Sequence, residues 1–157
     1  MAAVFLLGAV GCGAGSDDSA PSSPASNPGS GQPSSDLCPP APRALAAVIR
    51  RGTRRGDQLQ RLFALRSRAS FSGKAPEVRD GVYFVSGAIG PMVVTWAVNR
   101  SAWRTGAGLI VAADKQTRSV SPRRWIMSPK VLDERFGISA HTEGYARARA
   151  CANPTRA

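Results

Sequence analysis

The sequence predicts an α+β domain: an antiparallel sheet of three to four strands flanked by an N-terminal and a C-terminal helix. Three observations predict it. Two β-rich apolar runs, residues 82–89 and 92–98, succeed one another across Gly90-Pro91, and such a pair forms a hairpin. Segments with helical spacing stand near both ends of the basic part of the chain, at 44–51 and 142–151. The β-runs are consecutive rather than alternating with helices, which separates this layout from a doubly wound parallel sheet.

Each element has its own local signal. Pro39, Pro40 and Pro42 make a stiff entry. Residues 44–51 place Leu45, Val48 and Ile49 on one helical face, and Gly52 stops the helix. Residues 59–67 carry two patterns. Leu59, Leu62 and Phe63 have helical spacing, with Asp57 and Gln60 set as a capping box, while Phe63 and Leu65 alternate as in a strand. We read a strand, because the chain downstream of it is strongly β. After the hairpin, residues 109–113 (Leu-Ile-Val-Ala-Ala) form the next strand, and the polar stretch 114–124 a short helix or loop. Residues 128–137 read as irregular or as one helical turn. Thr142 is placed as the cap of a last helix that Asn153-Pro154 ends. No internal repeat is visible.

The first 37 residues are built differently. They hold no Lys or Arg, and their charges are Asp17, Asp18 and Asp36. All 21 basic residues therefore lie downstream, where they face the remaining seven of the ten acids, a formal +14. The excess is arginine, since Lys74, Lys115 and Lys130 are the only lysines. A body this basic is drawn to polyanions such as anionic lipid, anionic wall polymer or nucleic acid.

Residues 2–10 are nine uncharged, mostly apolar residues, too few to span a bilayer and the length of a signal-peptide core. The run Ala9-Val10-Gly11-Cys12 resembles the lipobox of bacterial lipoproteins. That resemblance implies that the Cys12 thiol receives a diacylglyceryl group and that the chain is cut before it. Ala9 stands where the family usually has Leu, and the basic opening of a complete signal is missing, so we read 1–11 as the later part of one. Ordinary cleavage after Gly11, with Ala9 and Gly11 as the small residues, and an uncleaved apolar N-terminus on a cytoplasmic protein are the competing readings. Residues 13–36 are nearly all Gly, Ser, Pro, Ala, Asn and Asp. They lack apolar periodicity and predict a disordered tether with a reach of roughly 25–30 Å. The domains are then a signal at 1–11, an anchor Cys with its tether at 12–37, and one globular basic domain at 38–153.

Three cysteines are present. With Cys12 used by the lipid, Cys38 and Cys151 remain as a pair bracketing the domain, and export permits a disulfide to persist. In that picture the bridge sets the two end helices beside each other. Two unpaired thiols in a reducing cell are the alternative. The lipobox-like start, the Ser/Pro/Gly tether, the domain bracketed by Cys38 and Cys151, and the Val-Tyr-Phe-Val-Ser run at 82–86 before a Thr-Trp-Ala strand together resemble the small exported lipoproteins of actinobacteria, a group of unknown function. The resemblance implies a location on the outer face of the cell membrane and a covalent staple. It carries over no catalytic residues.

Candidate chemistry is sparse. His141 is the only histidine, and Ser139 and Glu143 lie two residues to either side. On a strand the three would share a face and a small hydrolase could be imagined, but no nucleophile elbow accompanies them and the polar surroundings read as a loop. No catalytic residue is therefore assigned. Asp133-Glu134 read as a solvated turn. No Gly-rich phosphate loop is present, no Cys-x-x-Cys motif supports a metal, and no cofactor is expected. Trp96 is assigned to the core. Trp103 beside Arg104, and Trp125 after Arg123 and Arg124, suit cation–π contact, ligand stacking or docking at a lipid interface; the competing reading is partly covered surface. Arg50, Arg51, Arg54 and Arg55 form a basic turn suited to phosphates. Arginines interleaved with aromatics also suit single-stranded nucleic acid, a reading that conflicts with export. We expect a membrane-anchored, non-enzymatic binding domain whose partner is anionic lipid, wall polymer or an exported protein.

Overall fold

Alternation along the central hairpin organises the molecule. The computed structural model describes residues 38–153. The signal reading of 1–11, the Cys12 acylation site and the tether at 12–37 lie outside the described residues. Strand β2 (Val82–Ile89) pairs with β3 (Met92–Asn99) from Ile89↔Met92 to Val82↔Asn99. Gly90 takes φ 57° in the two-residue loop, the left-handed value that a tight hairpin needs at its first loop position. Strand β1 (Phe63–Arg66) joins the free side of β2, and β4 (Ile110–Ala112) joins β3. The result is one antiparallel four-stranded sheet in the order β1-β2-β3-β4. The strand reading of 59–67 is borne out by β1. The capping box is not: Gly56–Gln58 is a 3-10 turn, and Leu59 bridges to Ile89.

Both faces of the sheet are covered, which is why β2 and β3 are apolar at nearly every position rather than at every second one. On one face Val85, Trp96, Val98 and Ile110 pack with Leu45 and Ile49 of α1 (Arg43–Gly52) and Ala102 of α2 (Arg100–Thr105). On the other, Val82, Phe84, Ala97 and Val111 pack with Leu132 and Phe136 of α4 (Pro129–Phe136) and with Tyr145 and Ala148 of α5 (Tyr145–Cys151). The expected N-terminal and C-terminal helices are thus present, on opposite faces of the sheet.

The predicted placement of the disulfide is corrected by that arrangement. Cys38 and Cys151 are bonded, with Cα atoms 5.6 Å apart. The bridge does not join two neighbouring helix ends. The entry segment 39–41 runs along the edge of β1 through Pro40↔Phe63, Ala41 N–H to Leu62 O and Ala64 N–H to Pro39 O. The bond therefore ties this sheet edge to the last turn of α5.

Two further expectations change, one helix is added and one open reading is resolved. Residues 128–137 contain an eight-residue helix, α4. Ser128 caps it by accepting from Val131 N–H, Pro129 opens it, and Gly137 at φ 67° closes it. Thr142 does not cap α5. Its hydroxyl donates to Gly137 O and accepts from Ser139 N–H, and Gly144 at φ 91° leads into the helix instead. Helix α2, unanticipated in the sequence, starts where the Asn99 side chain accepts from Ala102 N–H. Finally, of the two readings of the polar stretch after β4, helix or loop, the helix is found: α3 (Lys115–Val120) completes the sheet edge, where Thr117 Oγ1 accepts from Thr95 N–H, a donor that the short β4 leaves unpaired. No helix of the described residues is long and apolar enough to cross a membrane.

Candidate anion-binding groove

The basic residues singled out in the sequence fall into two places. Arg50 and Arg51 close α1, and Arg54 and Arg55 lie in the turn after it, all exposed. Trp125 packs against Gly52, so closely that a Cβ there would lie 2.2 Å from its ring. This contact, with Arg54 N–H bonded to Val120 O, brings Arg123 and Arg124 to the same edge as the 50–55 turn. Trp103 and Arg104 stand elsewhere, because α2 meets the start of α1, with Gly106 against Ala44 and Val48.

The structure corrects the role of Trp125 as a ligand-stacking or lipid-docking residue. The residue is 5% exposed and belongs to the core, and the Arg124 guanidinium lies 5.6 Å from its ring centroid. It is core rather than partly covered surface, so it offers no face to a ligand. Trp103 is half-buried and stacks on Tyr83, with ring centroids 4.4 Å apart and planes 7° from parallel. One face of Trp103 is thus occupied within the molecule. Trp96 is fully buried, and its Nε1 donates to Ser121 Oγ.

The residues of the imagined hydrolase are not brought together. His141 is exposed, and its backbone N–H donates to Ser139 Oγ. Ser139 Oγ also bonds Thr142 Oγ1. Glu143 turns away to accept from Ser67 Oγ and Arg68 N–H. Tyr145, which is buried, is equally unsuited to proton transfer near neutrality. Burial pushes the Tyr145 phenol up to about 12, the charge and hydrogen bond of Asp114 add to the shift, and Arg149 opposes it. Asp114 is saturated there, accepting from Tyr145 Oη, Arg149 Nη1, Thr117 N–H and Thr117 Oγ1. This knot ties α5 to α3. No group of three or more His, Cys, Asp or Glu among the described residues is placed to hold a metal ion.

The arginines that do converge were not singled out in the sequence. An open groove of about 770 Å³ at one end of the sheet is lined by Arg66, Arg68, Arg79, Arg100 and Arg147, with Asp80 as its single carboxylate. Each position is set by a different local device. Arg66 ends β1 opposite Tyr83 and lies over Gly81, where a Cβ would be 3.4 Å from its Nε. Arg68 sits in a turn held by Glu143 and by Ala69 N–H donating to Ser67 Oγ. Gly144 approaches this turn to within 3.4 Å of Ser67 Cα, measured from the position of its absent Cβ. That contact fixes where α5, and with it Arg147, begins. Arg79 comes directly after the 3-10 turn Pro76–Val78 and donates from Nε to Lys74 O. Arg100 opens α2. The intervening loop is anchored by Phe71 and Val78, both buried in the second apolar layer.

Arg66, Arg68, Arg100 and Arg147 form no ion pair and no side-chain hydrogen bond among the described residues, where the ion-paired cations are Lys130, Arg135 and Arg149. A second, smaller groove of about 550 Å³ beside Cys38 carries Arg43, Arg50 and Arg61 over an apolar floor of Ala46, Leu62 and Phe63. No protein-family model matches the chain, and neither the curated proteins nor the solved structures include a significant match to it.

Proposed function

We propose that this protein is an exported, lipid-anchored binding domain without catalytic activity. It is acylated at Cys12, held at the outer face of the cell membrane by the 12–37 tether, and binds an anionic envelope component or an exported partner. The observation that carries the reading is the set of arginines left without carboxylate partners on a domain closed by the Cys38–Cys151 bond. A disulfide of this kind persists in oxidising compartments. Near an anionic surface each exposed basic residue contributes about 1 kcal/mol of attraction.

Membrane fractionation of cells carrying Cys12→Ala tests the anchor. The wild type is expected in the membrane fraction and the variant in the soluble fraction, and the intact mass of the wild type is expected to include acyl chains and a mature N-terminus at Cys12. A variant that stays in the membrane fraction unchanged sinks the lipidation. Cytosolic fractionation with free Cys38 and Cys151 thiols would move the reading to the nucleic-acid alternative.

A further inference from the structure

We propose that the groove lined by Arg66, Arg68, Arg79, Arg100 and Arg147 is a specific site for a ligand bearing several phosphate groups. The proposal deepens the anion-binding half of the reading above and is independent of the export half. The chemistry comes from the donors. A guanidinium presents two parallel N–H groups that match a pair of phosphate oxygens. Five arginines line the groove with one carboxylate, Asp80, and all but Arg79, which donates from Nε to Lys74 O, form no side-chain hydrogen bond among the described residues. A single carboxylate ligand would leave most of that charge uncompensated, whereas a run of phosphates spaced along the groove meets several forks at once. The volume of about 770 Å³ lies in the range of ligand-binding clefts, and its open side admits a chain or a headgroup from solvent.

The groove is also pre-organised, which separates it from the arginines at 50–55. The latter succeed one another at the exposed end of α1 and in the turn after it. The groove arginines come from β1, the turn after it, the segment before β2, α2 and α5, and their backbones are held by Glu143, by the close approach of Gly144 and by the buried Phe71 and Val78. Holding the backbones that carry the donors in place before the ligand arrives lowers the part of the ordering lost on binding that comes from the main chain.

The test titrates the full chain, in non-ionic detergent, with tripolyphosphate and with citrate at matched ionic strength. Tripolyphosphate is expected to bind at least tenfold tighter than citrate. Arg68→Gln with Arg147→Gln is expected to weaken tripolyphosphate at least tenfold. Arg51→Gln with Arg54→Gln, an equal change of charge outside the groove, is expected to weaken it less than twofold. Arg68→Lys with Arg147→Lys keeps the charge and removes the forks, and should fall between. All four arginines are exposed, and unchanged melting curves would confirm that the variants fold. Equal weakening by the two Gln pairs, or citrate binding as tightly as tripolyphosphate, overturns the proposal. Phosphatidylglycerol vesicles, against phosphatidylcholine vesicles, separate the two sources of phosphate. A groove pair that lowers binding to both vesicle and tripolyphosphate points to a lipid headgroup, and one that lowers tripolyphosphate alone points to a free phosphate chain.

Discussion

At Tyr145 the fold holds a phenol against the Asp114 carboxylate, 2.9 Å from Oδ2, with the Arg149 guanidinium 2.8 Å from the same oxygen. Burial and the neighbouring negative charge keep the phenol protonated, and its pKa rises to about 12. An unfolded chain loses that proton near pH 10. Between these values the folded state binds more protons than the unfolded one, so stability falls as pH rises. The contribution is intact below about pH 10, declines between about 10 and 12, and is gone above; its size is on the order of 2 kcal/mol. Tyr145→Phe should lose about 1 kcal/mol at neutral pH through the missing hydrogen bond, while Asp114 keeps its other donors. It should also flatten the alkaline decline. Urea unfolding midpoints from pH 9 to 12 check this, and parallel profiles for variant and wild type would contradict it.

At the scale of elements, what was legible depended on whether the signal was local. Helix α1 announced itself through Leu45 and Ile49 on one face. The hairpin announced itself through β-branched residues on either side of Gly90-Pro91, because turn chemistry and strand preference agreed there. Helix α4 carries equally local marks, Ser128 as cap, Pro129 at the first helical position and Gly137 as stop. Its buried apolar residues are only Leu132 and Phe136, too sparse a pattern to reveal periodicity, so its start and stop signals outweigh its apolar spacing. If that cap carries the helix, Ser128→Ala should destabilise the protein by about 1 kcal/mol, read as a shift in the denaturant midpoint. Moreover, the loss should fall in the second apolar layer, with faster amide exchange at Leu132 and Phe136 than at Leu45 and Ile49. A uniform change across both layers would show that α4 is not a separate local unit. The groove was illegible for a different reason. Its arginines span positions 66–147 and meet only because the antiparallel order brings the end of β1, the start of β2 and the end of β3 to one end of the sheet. A run such as 50–55 is conspicuous in sequence because its members are neighbours along the chain, at the end of α1 and in the turn after it.

At the scale of the whole domain, the Cys38–Cys151 bond decides how the layers hold together. It closes a separation of 113 positions, nearly the full described chain, and it joins the edge of β1 to a helix on one face while α1 covers the other. No other covalent link crosses the sheet edge among the described residues. The edge contacts themselves are few: the Pro40↔Phe63 bridge and the backbone bonds at Ala41 and Ala64. In the chain-entropy picture a loop of this size restricts the unfolded state by about 4–5 kcal/mol. Replacing both cysteines (Cys38→Ser with Cys151→Ser) should therefore lower the melting temperature by roughly 15–25 °C for a domain of this length. Reduction of the wild type by dithiothreitol should match the double variant. The native contacts, and so the groove, should survive at low temperature, because the effect acts on the unfolded ensemble; tripolyphosphate affinity in the cold should change less than twofold. A small melting shift would mean that the unfolded chain without the bond is already compact, so that the bond restricts it little. A large loss of affinity at low temperature would mean instead that the bond shapes the native groove through α5, the helix that carries both Cys151 and Arg147.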